Sequence, residues 1–81
     1  MRQVPHYLVI GNGHVARHFR HYLYLLGIEF SSWHRPESTA RLKELAQAAT
    51  HILILISDKA IEPFITENLQ GVSAIKLHFS G

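Results

Sequence analysis

A short apolar run that ends in a glycine-rich turn and passes directly into an amphipathic segment constrains this chain more than any other feature. Residues 7–10 read YLVI, and residues 11–16 read GNGHVA, a Gly-x-Gly-x-x-Ala pattern. Gly11 can take the backbone angles of a tight turn, which a Cβ atom would penalise. Gly13 has no side chain to hold off an approaching group, and Ala16 lets the following helix pack closely on the strand. The pattern therefore predicts a strand, a tight turn and a helix in immediate succession.

The predicted turn has the properties of an anion site. The first N–H groups of a helix lack partners within the helix, and the helix dipole favours negative charge beside them. A strand, turn and helix in this order are typical of sites that hold the pyrophosphate of a dinucleotide. We therefore expect Gly11, Asn12, Gly13, His14 and Val15 to contact a dinucleotide. The alternative is an ordinary β-to-α turn that happens to be rich in glycine.

Length and composition limit the chain to one small domain over residues 1–81. Its hydrophobic content of 47% is sufficient to build a core. No run approaches the roughly 18 apolar residues of a membrane span, and the N-terminus lacks the pattern of a signal peptide. The chain has no cysteine, so disulfides and thiolate metal sites are excluded. We expect a cytoplasmic protein whose partners include neither a membrane nor, at a net charge of +2, a nucleic acid.

Apolar periodicity divides the chain into alternating strands and helices. Strands are expected at 6–10, 28–33, 51–56 and 74–79, and helices at 14–26, 39–49 and 59–69. Ser38 suits the N-cap of the second helix, whereas Pro63 is tolerable only near the first turn of the third. This alternation predicts an α/β fold, a three-layer Rossmann-like parallel sheet with helices on both faces. The expected strand order is 3-2-1-4, with the ligand at the carboxyl ends where strands one and four diverge.

A second ligand signal lies at the end of the second predicted strand. Sites that prefer NAD place an acidic residue about 20 residues past the glycines, where it binds the ribose 2′-hydroxyl. His34 and Arg35 occupy that position here, and neither is acidic. A guanidinium can bind a 2′-phosphate bidentately and stack on adenine, and His34 can add a donor. We therefore expect NADP in preference to NAD, the alternative being that Arg35 is simply a solvated residue of a surface loop.

The first predicted helix carries two contrasting faces. Its core face is expected to comprise Val15, Phe19, Leu23 and Leu26. His14, His18 and His21 follow one another at i, i+4 and i+7 and share another stripe. Such a stripe is either a metal site or a solvated flank. We favour the flank and expect no metal, because the sequence offers no obvious carboxylate to orient the imidazoles.

Four stretches of the chain resemble a known family. They are VIGNGHVA at 9–16, WHRPE at 33–37, ILISDKAI at 54–61 and LHFSG at 77–81. Together they are similar to the N-terminal NADP-binding domain of oxidoreductases of the 6-phosphogluconate-dehydrogenase-like group. That group includes pyrroline-5-carboxylate reductases, deazaflavin-dependent NADP oxidoreductases and uncharacterised relatives.

The resemblance implies roles for several residues. By analogy with the family, Arg35 binds the 2′-phosphate, Ser57 and Asp58 line the ribose side, and His78 and Ser80 approach the nicotinamide. The residues themselves equally allow Ser57-Asp58 to be a helix cap. Ser57 stands where the family often has proline. Family members continue into further strands and a helical domain that binds substrate, so we expect this domain to be incomplete, with no substrate domain and no identifiable catalytic residue.

Three functions are compatible with these features. The first is the NADP(H)-binding part of an oxidoreductase that transfers hydride between the nicotinamide and a small substrate. The second is a nucleotide-binding or regulatory module without catalysis. The third is a domain that binds no nucleotide, in which the exposed edge of a short sheet invites pairing with a second copy.

Overall fold

A computed structural model describes residues 4–35 and 37–78 of the chain. Strands and helices alternate along these residues, as the apolar periodicity predicts. They are β1 (His6–Ile10), α1 (His14–Leu25), β2 (Glu29–Trp33), α2 (Thr39–Ala48), β3 (His51–Ile54), α3 (Asp58–Asn68) and β4 (Ile75–His78). Among the described residues, no helix combines the length and the apolar character that crossing a membrane requires.

The four strands form one parallel sheet in the order β2-β1-β3-β4. The predicted α/β class, with a parallel sheet and helices, is confirmed, but the predicted strand order 3-2-1-4 is wrong. The burial of β3 explains the difference. Ile52, Leu53 and Ile54 are each at most 3% exposed, so β3 needs a neighbouring strand on each side and a helix layer on each face. The more polar β2, which contains Glu29 and two serines, takes the edge instead.

Two apolar clusters lie on opposite faces of the sheet. Val9 and Leu53 pack with Ala16 and Leu23 of α1 on one face. The other face holds the larger cluster, in which β1 and β3 pack against α2 and α3. Its least exposed members are Leu8, Ile10, Leu42, Ala46, Ile52, Ile54 and Leu69. The connection from β1 through α1 therefore crosses one face of the sheet to the edge strand β2. The connection from β3 through α3 crosses the other face to the edge strand β4. The connections diverge between β1 and β3, not between strands one and four as expected.

The buried face of α1 is rotated from the one predicted. Ala16 and Leu23 are buried and Phe19 is half-buried, but Val15 and Leu26 are 54% and 67% exposed. Ala16 takes the centre of the inner face because its small side chain permits close approach to the first turn. Its Cβ lies 3.6 Å from the position that a Cβ on Gly11 would occupy. Val15 and Leu26 are displaced to the flank as a result.

α3 contains a proline beyond its first turn. Pro63 is the sixth residue of this helix, which nevertheless continues to Asn68, so the expectation that proline is tolerable only near the start is wrong. Proline cannot donate a hydrogen bond to the carbonyl four residues earlier. Ile61 and Phe64, both buried on the inner face of α3, anchor the helix on the sheet on either side of this missing bond.

Candidate functional site

A cleft opens at the carboxyl ends of β1 and β2, beside the first turns of α3. Its volume is about 350 Å³. The lining combines the first βα turn, the end of β2 and an apolar wall: Ile10, Gly11, Asn12, Trp33, His34, Arg35, Ile56, Ala60 and Phe64. The cleft lies beside the point where the connections from β1 and β3 diverge, the place where open α/β sheets bind ligands. It brings together Gly11, Asn12, His34 and Arg35, four of the residues that the sequence analysis singles out.

Gly11 is required by the fold itself. Its φ is +129°, a conformation that strains any residue with a side chain. A Cβ at this position would also collide with the Leu55 carbonyl oxygen. The Gly11 N–H donates to the Trp33 carbonyl at 2.9 Å, and the Leu55 N–H donates to the Ile10 carbonyl at 2.9 Å. The first turn is therefore fastened to both neighbouring strands.

Gly13 is not required by the fold. Its backbone is extended, with φ −83° and ψ −173°, which any residue can adopt. No atom of the neighbouring structure lies within 4 Å of the position that its Cβ would take. It is the N-cap of α1, where it provides no side-chain cap, and the first turn of α1 carries no acidic residue. The opening amides of α1 are thus accessible from outside, and a ligand would explain a glycine that the packing does not.

Trp33 forms an aromatic part of the cleft wall. Its side chain is 4% exposed, and its indole N–H donates to the Ser38 carbonyl at 3.0 Å. The ring centroid lies 5.9 Å from that of Phe64, with the planes tilted by 52°. Trp33 is therefore both a core residue that fixes α2 to the end of β2 and a wall of the cleft.

His34 is tied into its own loop. Its ring Nδ1 lies 2.6 Å from the Arg35 carbonyl and donates to it, because that oxygen can only accept. The His34 backbone N–H donates to Glu37 Oε2 at 3.1 Å, and the Arg41 Nε–H donates to Glu37 Oε1 at 3.1 Å. The His34 N–H above all, with Arg41 adding to it, holds the pKa of Glu37 below its ordinary value. These contacts fix the loop that carries Arg35.

Arg35 is the free cation of the cleft. Its side chain is exposed, and no carboxylate among the described residues lies within 4 Å of its guanidinium. Glu37, the nearest acid along the chain, pairs with Arg41 and also lies 3.9 Å from the His34 ring. The guanidinium of Arg35 is consequently available to an anion at the mouth of the cleft.

The remaining predicted ligands do not line this cleft. Ser57 is the N-cap of α3 but its hydroxyl makes no capping bond, and both Ser57 and Asp58 are exposed next to the lining residues Ile56 and Ala60. Val15 is exposed on α1, and His14 lines a different groove. His78 is exposed at the end of β4. Ser80, which the family resemblance places near the nicotinamide, lies outside the described residues.

Sequence reasoning missed two kinds of site residue. Ala60 and Phe64 form a wall of the cleft from α3; their i, i+4 spacing could have placed them on one face, but not beside β2. Arg20 donates from α1 to the Gly11 carbonyl at 3.2 Å and so buttresses the first turn. A cation on the flank of α1 gives no sequence signal for that contact.

The side chains of the histidine stripe are exposed, as expected. The described residues contain no cluster of three or more His, Cys, Asp or Glu able to hold a metal.

Comparison with known proteins finds no family model, no curated protein and no solved structure that matches this chain.

Proposed function

We propose that this chain is an NADP(H)-binding domain of an oxidoreductase that transfers hydride between the nicotinamide and a small substrate. One observation carries the proposal: Gly11 and Asn12 of the first turn line the same cleft as the unpaired Arg35 and the aromatic residues Trp33 and Phe64. An adenosine phosphate has the complementary features, because it joins a flat, largely apolar base to anionic groups. The accessible α1 amides beside Gly13 support the same assignment.

The described residues fit this cofactor by their chemistry. Trp33, Phe64 and Ile56 supply the apolar surface that an adenine ring prefers. Arg35 supplies a planar, permanently charged fork for a 2′-phosphate, while the pairing of Glu37 with Arg41 reduces the repulsion that a lone carboxylate would exert there. The backbone at Gly13 leaves room for a pyrophosphate. The proposed setting is the cytoplasm, with which a chain that lacks cysteine is compatible.

The nicotinamide, when bound, supplies the hydride chemistry, and the contribution of this chain is to bind and orient. Gly11 and Arg20 hold the turn in position through the contacts described above. Ser57 and Asp58, exposed beside the cleft, are proposed to contact the ribose side. Of the described residues that line the cleft, none is a carboxylate. Hydride transfer itself requires no carboxylate, so this lining is equally compatible with a second candidate, a nucleotide-binding module without catalysis.

Calorimetric titration with NADPH and with NADH tests the proposal. We expect NADPH to bind the more tightly, and Arg35→Asp to weaken NADPH by about 10- to 100-fold, the usual effect of losing a charge-assisted contact. NADH should change by less than about threefold, since it lacks the 2′-phosphate. Lys43→Asp, at an exposed position of α2, is the control for the change in net charge.

Each result of this titration has a definite meaning. Equal losses for both cofactors in Arg35→Asp would contradict the 2′-phosphate role. No affinity of the unmodified chain for either dinucleotide would overturn the whole proposal. Binding without oxidation of NADPH in the presence of any small carbonyl or imine substrate would favour the non-catalytic module.

A further inference from the structure

The outer face of α1 carries a second concave surface, separate from the cleft. It is an open groove of about 380 Å³ lined by His14, Arg17, His18 and His21. All four side chains are exposed. Their spacings of three and four residues place them on adjacent turns of one side of the helix, over a length of about 10 Å. We call this surface the α1 groove.

No acidic side chain among the described residues lines the α1 groove, and α1 itself contains no Asp or Glu. The strands packed against α1 are β1, β2 and β3, whose titratable side chains are His6, Tyr7, Glu29 and His51, the last of which stacks on Tyr7. Tyr7 packs beneath α1 in the apolar cluster. His6 and Glu29 pair in register and so share the opposite face of the sheet, where His6 Nε2 is hydrogen-bonded to Ser31.

The charged and chargeable side chains that line the α1 groove are therefore Arg17 and the three histidines, with no carboxylate among the described lining residues. Arg17 is positively charged at every accessible pH. Histidine is the side chain whose charge changes between pH 5 and 8, and three of the four residues that line the groove are histidines. Metal chelation does not account for this arrangement, because the described histidines include no group of three that could hold an ion.

We propose that the α1 groove binds a linear oligophosphate, and binds it more tightly in acid. Imidazolium and guanidinium groups are strong donors to phosphate oxygens. Four such groups spaced along one side of a helix suit a chain of phosphates, which can meet successive side chains, better than a single phosphate. The groove is independent of the NADP(H) cleft in all but His14, which follows Gly13 directly.

The test is calorimetric titration with tripolyphosphate at pH 5.5 and pH 8.0, at low ionic strength because exposed charges are screened by salt. The variant is H18Q/H21Q, which leaves His14 and the first turn unchanged. Exposed ion pairs are individually weak, so we expect the unmodified protein to bind about tenfold more tightly at pH 5.5 than the variant does. At pH 8.0 the two should agree within about threefold. Tripolyphosphate titrates equally in both experiments, so the difference between proteins reports the groove.

Two further variants complete the experiment. Arg17→Gln should weaken binding at both pH values, whereas the control Lys43→Gln, on the exposed surface of α2, should not. Equal binding by the unmodified protein and H18Q/H21Q at pH 5.5 would overturn the proposal, as would an equal effect of Lys43→Gln and Arg17→Gln. Displacement of tripolyphosphate by NADPH, with loss of both ligands in Gly13→Val, would place the phosphates on the first turn instead. If H18Q/H21Q did not fold, Arg17→Gln and His21→Gln would test the same groove singly. Failure of NADPH to bind would leave these outcomes unaffected.

Discussion

Gly11 and Gly13 stand two residues apart and are glycines for different physical reasons. The positive φ of Gly11 and the Leu55 carbonyl leave no space for a side chain. Gly13 has an ordinary extended backbone and open space where a side chain would project. The first glycine therefore serves folding, while the second is free to serve a ligand. This difference separates an effect on stability from an effect on binding.

Substitution of each glycine should consequently give opposite results. Gly11→Ala should lower the free energy of unfolding by about 1–3 kcal/mol or more, through backbone strain and the collision with Leu55. Gly13→Val should leave a folded protein, losing at most about 1 kcal/mol at the N-cap, but should abolish NADPH binding by steric exclusion. Urea denaturation and calorimetry measure the two effects. NADPH affinity unchanged in Gly13→Val would refute the phosphate role of the turn.

Glu37 links the charge of its carboxyl group to the stability of the Arg35 loop. The carboxylate accepts from the His34 N–H and from Arg41, and these contacts lower its pKa in the folded protein. A carboxyl whose pKa is lower in the folded than in the unfolded state stabilises the fold at pH values above its unfolded pKa. That stability is lost as the pH falls through the folded pKa.

We therefore expect Glu37→Gln to be less stable than the unmodified protein at neutral pH. The difference should shrink as the pH falls below the ordinary pKa of glutamic acid, about 4.3, because the unmodified carboxyl group then becomes neutral as well. Thermal denaturation across pH 2.5–7 checks this. Arg41→Gln removes one of the two donors and should reduce the pH dependence without eliminating it. A constant difference between Glu37→Gln and the unmodified protein at all pH values would contradict the linkage.

At the scale of single residues, the sequence located the polar part of the site better than its walls. Gly11, Asn12, His34 and Arg35 were predictable because each follows a strand directly, and parallel strands end at one edge of the sheet. Ala60 and Phe64 join them only because α3 packs on that side of β1. Such a contact depends on the arrangement of whole elements, which local sequence patterns do not encode.

The secondary-structure elements themselves follow closely from their sequences, with exceptions that have local causes. β3 stops at Ile54 although the apolar run continues to Ile56. Beyond the strand, Leu55 packs with the cluster beneath α1, and Ile56 lines the cleft. Ser38 caps α2 as predicted, its hydroxyl accepting from the Arg41 N–H at 3.2 Å. α3 is the element in which sequence propensity and structure disagree most, since it retains Pro63 inside a helix held by tertiary packing.

Replacement of Pro63 should therefore stabilise the protein. Pro63→Ala restores a donor to the carbonyl of Lys59 and removes the steric conflict with it, which together are worth about 1–3 kcal/mol in a helix interior. The gain is reduced by the greater freedom of the unfolded chain. Urea denaturation measures the change, and Glu62→Ala, at the preceding exposed position, is the control and should change stability by less than about 0.5 kcal/mol. Lower stability of Pro63→Ala would show that the helix is shaped around the proline.

At the scale of the whole molecule, the alternation of strands and helices was sufficient to predict a parallel α/β sheet, but not its strand order. Orders 3-2-1-4 and 2-1-3-4 are both compatible with the same alternation and differ in whether β3 lies at an edge of the sheet or between β1 and β4. The apolar character of β3 and the serines of β2 decide between them, since the first suits the interior of a sheet and the second an edge. A comparison of the two strands in the sequence is therefore sufficient to choose between the orders.

The observed order predicts how backbone protection is distributed. β1 and β3 are flanked by strands on both sides, whereas β4 has one neighbour and exposes Ile75 and Leu77. We expect the hydrogen-bonded amides of β4 to exchange with solvent at least about tenfold faster than those of β1 and β3, because edge elements open at lower free energy than the core. Native-state hydrogen exchange by NMR measures this. Equal protection of β4 and β1 would indicate that another chain or segment pairs with the open edge.

The cleft is built from distant parts of the chain, since Ile10 and Phe64 both line it. During synthesis the glycine-rich turn leaves the ribosome first, but the wall opposite it does not exist until α3 has emerged and packed. A nascent chain stopped within α2 would carry most of the recognisable motif and only half of the pocket. Formation of the cleft is thus postponed until β3 has been inserted beside β1, so that any ligand bound there would report a sheet that is already assembled.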